Sequence, residues 1–408
     1  MDYRVIFLLL LEALLALFLL WRSGGIKSTA GWIAAAALTV LAFALRAAAL
    51  DYETLDYQNF LAAWVDFYRE RGGWSALRWP VGNYNIPYLY FLALFSYSSI
   101  RDLYLIKLLS ILFDVLLAWG CTRLCARFTE DPRRTLACFF TVLLLPTVTL
   151  NGALWGQCDS IYVALAVLAL ACALEDKPVR AMILLALSFG FKLQAVFVMP
   201  IFAVLLFKGK LKWFHLPIFP LSYVLLVLPA VLTGRPFLDT LTLYAGQTGS
   251  IGSGLNYNSP SVFAIFRHVQ DPESAAVFAI LAAFVYLLLL LAAAFRFRDR
   301  LSDRAVLLFA VLMAVGIPFL LPHMHDRYFF AADALSVALA FSLPPTAAGA
   351  ILVQFASLLG YHAYLKMRFF LPMQYGAWAL IAVLLLCLGC LFLELSRPAA
   401  PASLSPQA

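Results

Sequence analysis

A chain of 408 residues that is 64% hydrophobic and only 12% charged, with a mean hydropathy of +0.90, has too little polar surface to close a soluble domain. Its net charge of +7 sits in short basic loops rather than in a basic stripe interleaved with aromatics. That sets nucleic-acid binding aside and suits cytoplasmic loops facing anionic lipid. The seven cysteines are scattered through apolar runs and build neither a disulfide framework nor a metal-ligand spacing.

The apolar runs are continuous rather than alternating, which predicts an all-α polytopic helical bundle and not a barrel. About eleven to thirteen spans are expected, near 5–21, 31–50, 103–121, 135–150, 160–174, 179–191, 193–208, 214–233, 275–295, 304–321, 329–343, 347–364 and 376–395. The first run, between Arg4 and Ser23-Gly24-Gly25, faintly resembles a signal peptide. Its length and the lack of a small-x-small cleavage site predict a retained span. The whole of 1–395 reads as one transmembrane unit without internal repeats, followed by a Pro/Ala/Ser-rich disordered cytoplasmic tail at 396–408.

Orientation follows from the basic loops. Arg22/Lys27, Arg123/Arg127/Arg133/Arg134, Lys208/Lys210/Lys212 and Arg296/Arg298/Arg300/Arg304 mark cytoplasmic turns, while Lys366 and Arg368 fall on the other side. Four polar stretches then emerge on the extracytoplasmic face: Asp51–Asp102, Asn151–Asp159, Gly234–Glu273 and Pro322–Phe330. The loops 51–102 and 234–273 are the long ones.

In the first, Asp51, Glu53 and Asp56 follow directly on a span. A partly desolvated carboxylate at a water–membrane boundary is suited to take a proton from a substrate hydroxyl. Asp56 could equally N-cap a helix over Tyr57–Arg71, with Phe60, Trp64, Phe67 and Tyr68 available to lie on the lipid surface. Gly82–Tyr90 mixes Asn83 and Asn85 with Tyr84, Tyr88 and Tyr90, equipment for a sugar or for an aromatic belt with a Pro turn. Asp114, within an apolar span, needs a partner such as Arg123 or a neighbouring helix.

Asn151–Ser160 is a Gly-loosened outer turn in which Asp159 can cap the next helix, a role that Trp155 and Gln157 do not share. Lys192 and Gln194 stand between two half-length helices, where the lysine snorkels or neutralises an anionic ligand. Tyr244–Gln247 and Gly249–Pro260 read as a lid or as an exposed loop. Finally His323, His325, Asp326 and Arg327 crowd five positions between apolar runs. Zinc ligation lacks a third ligand and Asp326 could cap the following helix, but arginine beside imidazoles suits phosphate best.

Taken in order, Asp56–Leu61 with Trp64, Asn83–Tyr90, Trp155–Tyr162, Phe191–Gln194 and Leu321–Phe330 resemble the bacterial relatives of the glycosylphosphatidylinositol mannosyltransferase II family. These are GT-C integral-membrane glycosyltransferases. More distantly, the pattern resembles the endoplasmic-reticulum glucosyltransferases that extend the N-glycan precursor. The resemblance covers roughly residues 31–395. It implies an inverting, mannosyltransferase-like enzyme of the bacterial plasma membrane. Such an enzyme passes a hexose from a polyprenyl-phosphate donor to a hydroxyl of a lipid- or protein-linked glycan of the cell envelope, on the extracytoplasmic face.

On that resemblance Asp56 is the general base, with Asp51 as runner-up, and Arg327, His325, His323 and Lys192 hold the donor phosphate. Glu53, Asn83, Tyr84, Asn85, Tyr88, Trp155, Gln157, Asp159, Gln194 and Gln247 are expected around the sugar and acceptor. Asp326 stands where many relatives have Glu. The sequence shows no metal-ligand set and leaves a divalent-metal requirement open; the lipid-phosphate sugar is a substrate and not a cofactor. The rival reading is a transporter or flippase of lipid-linked saccharides, which would tend to show repeats and mid-membrane polar residues in both halves. A scaffold without activity does not explain charge-rich strings gathered on one face.

Overall fold

Long runs of Leu, Ala, Val and Phe can satisfy their backbone in lipid only by closing every hydrogen bond within the segment, which selects helices. The computed structural model describes residues 2–247, 254–266 and 268–397. Its helices are α1 (Tyr3–Arg22), α2 (Thr29–Ala49), α3 (Ala62–Glu70), α4 (Ile86–Phe95), α5 (Asp102–Ala126) and α6 (Pro132–Leu143). They continue as α7 (Pro146–Thr149), α8 (Asp159–Leu174), α9 (Pro178–Phe191), α10 (Ile201–Phe207), α11 (Ile218–Leu232) and α12 (Phe237–Leu241). The last are α13 (Leu243–Gln247), α14 (Pro272–Arg296), α15 (Asp303–Leu320), α16 (Phe330–Ser342), α17 (Ala347–Leu365) and α18 (Gln374–Ser396). Among the described residues the strands are two-residue pieces, β1 (Asn256–Tyr257) and β2 (Met324–His325), paired in parallel.

The chain is an all-α polytopic bundle, and each expected run is met by a helix. Among the described residues eight helices are long and apolar enough to cross a membrane, or nine if α6 and the segment Pro146–Trp155, bent by 45°, count as one broken span. Four expected spans, Asp159–Leu174, Pro178–Phe191, Leu193–Phe207 and Phe330–Ser342, are shorter than a full crossing. Of these α8 is buried along its whole length and α16 nearly so, while α9 keeps Val179 and Ile183 exposed; long α14 buries only Ala283, Leu290 and Ala294. A helix that faces protein on all sides need not match the hydrocarbon thickness. Small residues along α8 (Ala164, Ala166, Ala169, Ala171, Ala173) let its neighbours approach closely.

The expected basic loops gather at one end of the bundle. There Arg127 pairs with Asp303 at 2.5 Å, Lys208 lies 3.2 Å from the same carboxylate, and Lys210 reaches Asp176 at 2.8 Å. The four polar stretches meet at the other end. Lys366 follows Tyr364 at that polar end, against the positive-inside rule.

Two buried cations fix the frame beneath the polar end. Arg46 of α2 donates from Nε and Nη2 to Asp114 Oδ2 of α5 (3.1 and 2.8 Å) and from Nη2 to the Leu143 carbonyl (2.8 Å). The Ser160 hydroxyl of α8 donates to the other Asp114 oxygen. The expected partner Arg123 is engaged elsewhere, with Glu175 at 2.6 Å. Lys107, fully buried on α5, donates to the carbonyls of Ala49, Leu50 and Tyr52 (3.0, 2.9 and 2.6 Å). It thereby closes the C-terminal end of α2, whose last carbonyls have no partner inside the helix.

The stretch 57–71 departs from the expected interfacial helix. A π-helical turn, Tyr57–Leu61, precedes α3; Tyr68 is buried in the protein, and Phe60 is exposed.

Removing one partner of a buried ion pair strands the other. Arg46→Met should therefore destabilise the protein by about 3–5 kcal/mol, and Arg46→Met/Asp114→Leu should recover most of that loss. Unfolding of both variants in detergent micelles measures the difference.

Candidate active site

The polar end is built where the helices break. Tyr57–Leu61 and Leu150–Trp155 are π-helical turns, a form that recurs at functional sites. Gly156 follows the second at φ +78°, left-handed backbone that favours glycine. This lets the Gln157 N–H close on the Asn151 carbonyl (2.9 Å) while its side chain crosses to Asp56. There the Asp56 Oδ2 accepts from Trp155 Nε1 (2.8 Å) and from Gln157 Nε2 (2.7 Å). Both donors use one oxygen, so Oδ1 is the one with capacity to take a proton. The Trp155 indole lies flat on Tyr364, 4.1 Å between centroids at 11°, and Tyr84 donates its hydroxyl to Gln157 Oε1 at 3.0 Å.

The cations arrive from two other breaks. Lys192 is extended (φ −153°, ψ 134°) between α9 and the 3₁₀ turn Leu193–Phe197, which turns its ammonium inward. It meets Asp159 Oδ1 at 2.5 Å. Arg327 follows β2 in a loop whose Asp326 carbonyl rests on α17; a Cβ at Gly360 would stand 2.6 Å from that oxygen. The Arg327 Nε is 3.5 Å from Asp159 Oδ2, and its guanidinium lies 5.1 Å over the Trp155 ring. Asn151 Nδ2 also donates to Asp159 (2.9 Å) and to the Tyr361 hydroxyl (2.9 Å).

These groups surround a cavity of about 380 Å³. Its wall holds the expected Asp56, Asn83, Tyr84, Asn85, Gln157, Lys192, Gln194, His325 and Arg327, together with Asp326. Trp155, Asp159 and Tyr88 are buried behind that wall. Three expected residues lie away from it. Asp51 accepts from the Tyr104 hydroxyl (2.7 Å), Glu53 pairs with Arg101, and His323 Nδ1 lies 2.8 Å from the Gly254 carbonyl. Gln247 ends α13, and its side chain lies outside the described residues, as does the stretch 248–253 of the third loop.

None of the three capping roles is realised. Asp56 stands before the π-helical turn without a side-chain cap, Cys158 and not Asp159 is the N-cap of α8, and Phe329 is the N-cap of α16. Aromatic residues complete the wall: Phe60, Trp64, Phe191, Tyr244, Tyr328 and Tyr364. Of these Tyr364 had no sequence signal beyond an aromatic at a span end.

Burial takes the His325 imidazole down to about 4, Arg327 and Lys192 pressing the same way and Asp56 against them. The ring is therefore neutral near pH 7 and offers an N–H rather than a charge; it stacks on Tyr257 at 4.7 Å. Burial pushes the Asp326 carboxyl up to about 7 against the pull of Arg327, with Asp56 and Asp159 adding to the rise. The cavity thus presents two carboxyl groups, Asp56 and Asp326, two basic side chains, a neutral imidazole and flat aromatic faces, a set suited to a sugar joined to an anion.

The sequence model of glycosyltransferase family 87 matches residues 83–322, more than half of the chain. The chain belongs to glycosyltransferase family 87. A comparison with curated proteins gives no match. Family 87 enzymes are GT-C-type membrane glycosyltransferases, so this chain is an integral membrane protein that takes a sugar donor and an acceptor. The transporter reading gives way to that. The matched segment holds Tyr84, Gln157, Asp159 and Lys192 but neither Asp56 nor Arg327, which line the same cavity by geometry.

Because the Asp326 carboxyl lies near 7 rather than at 3.8, the folded protein keeps a proton that the unfolded chain gives up. That contribution to stability is complete below the ordinary carboxyl range and is lost as pH rises through about 7. Between about pH 6 and pH 8 the wild type should lose more stability than Asp326→Asn does. Thermal melts of the two proteins side by side check this.

Proposed function

We propose that this protein is an inverting hexosyltransferase that uses a polyprenyl-phosphate sugar, with Asp56 as general base. The observation that carries the reading is that the Asp56 carboxylate and the two cations, Lys192 and Arg327, line one cavity with aromatic walls. Asp56 Oδ1 takes the proton of the acceptor hydroxyl as that oxygen bonds to the anomeric carbon. The bond from that carbon to the phosphate oxygen breaks on the opposite side, and its electron pair leaves with polyprenyl phosphate. One displacement inverts the carbon. Lys192, Arg327 and the His325 N–H stabilise the charge that develops on the phosphate.

The base role goes to Asp56 rather than Asp51, since Asp51 is exposed and held by Tyr104. The basic loops opposite the cavity support an extracytoplasmic site in a plasma membrane by the positive-inside rule. The unit 1–395, with 51–102 as the catalytic loop, mannose as the hexose, an envelope glycan as acceptor and kinship with glycosylphosphatidylinositol mannosyltransferase II belong to the same proposal.

Purified protein supplied with polyprenyl-phosphate hexoses and a glycolipid acceptor should release polyprenyl phosphate, and Asp56→Asn should slow this about 10²–10⁴-fold while the protein stays folded. Unchanged transfer in the variant removes Asp56 as the base, and transfer from nucleotide sugars alone overturns the donor class. Trp155→Phe keeps a ring against Tyr364 but loses the donor to Asp56. Its turnover should fall about tenfold with donor affinity unchanged, the mark of an interaction that matters in the transition state.

A further inference from the structure

Asp159 has no capping role, lies outside the cavity wall, and is only 1% exposed, yet it reaches both cations that do line the cavity. One oxygen is 2.5 Å from Lys192 Nζ; the other is 3.5 Å from Arg327 Nε and accepts from Asn151 Nδ2 at 2.9 Å. Asn151 is itself fixed by Tyr361 of α17. Arg327 Nε is buried without a completed hydrogen bond, and its Nη1 lies 3.5 Å from Asp326 Oδ1; the guanidinium is attracted to both carboxyl groups but saturated by neither, and Asp159 is the one that also holds Lys192. A lysine and an arginine desolvated side by side, with nothing between them, would bind any phosphate tightly and release it slowly.

We propose that Asp159 is the counter-charge that sets how strongly this pocket holds the lipid phosphate, so that the product leaves between turnovers. It is a positioning residue, acting through Lys192 and Arg327 from behind the wall. When the phosphate enters, it shares the two cations with Asp159; when it departs, Asp159 takes back their charge without rearrangement of the helices. The inference rests on the donor reading above and adds to it a limit on product affinity built into α8.

Asp159→Asn removes one negative charge while keeping the shape and an acceptor oxygen for Asn151. The probe is polyprenyl phosphate in detergent micelles, titrated against wild type and variant, with steady-state transfer measured alongside. The variant should bind the probe about tenfold more tightly, and its KM for the donor and its kcat should fall together as product release slows. A merely structural role cannot give tighter binding; it would weaken binding and lower the melting temperature together. Binding by the wild type with an equal or weaker variant overturns this inference and leaves the donor reading standing. Absence of binding by the wild type overturns the donor reading and this inference with it.

Should Asp159→Asn fail to fold, Lys192→Gln is compared with Lys192→Gln/Asp159→Asn, which strands no charge at that pair. The double variant should still bind the probe more tightly through Arg327, and equal or weaker binding overturns the inference.

Discussion

The ion pair between Arg46 and Asp114 holds the polar end in register. It joins α2 to α5, reaches the Leu143 carbonyl where α6 gives way to its bent continuation, and takes the Ser160 hydroxyl at the head of α8. Each of those elements goes on to deliver part of the cavity: α2 leads into the Asp56 loop, the bent segment ends in Trp155 and Gln157, and α8 begins at Asp159. An ion pair in an apolar bundle is a poor source of net stability, because both ions must be desolvated. It is a good source of uniqueness, since any slip of one helix along another would strand a charge.

Above that clamp the chain abandons regular helix wherever a polar side chain must turn inward. Two π-helical turns, a left-handed Gly156, an extended Lys192 and a left-handed His323 all fall at the same end. In lipid such irregular backbone is tolerated only where protein or a wet cavity covers it. The short helices and the cavity are thus two sides of one arrangement, in which α8, α9 and α16 stop before a full crossing and polar groups occupy the depth they vacate.

Much of this was legible in the chain. Hydropathy placed the long helices of the bundle but not α4, α12 or α13, and costly charges at span ends singled out Asp56, Lys192, His325 and Arg327. What misled was local propensity: an aspartate before a helix reads as a cap, yet Asp56, Asp159 and Asp326 each make their main contacts with the site. The partners of Asp56 lie about a hundred residues away in sequence, and no local pattern announces a bond of that reach. Arg46 sits one turn from the end of an apolar run, where an arginine ordinarily snorkels outward. Tyr364 closes a span as any belt aromatic does, and its stack on Trp155 and its place in the cavity wall beside Asp56 separate it from one. Span lengths misled for a related reason, because hydropathy cannot tell a helix bathed in lipid from one enclosed by its neighbours.

The Lys107 ammonium grips carbonyls, not side chains, of Ala49, Leu50 and Tyr52. A clamp on the backbone is blind to residue identity. The side chains of that corner, Asp51 with Tyr104 and Glu53 with Arg101 among them, make their own bonds and take no part in that clamp. The fold thus separates, at this corner, the backbone that fixes the path of the chain from the side chains that decorate it.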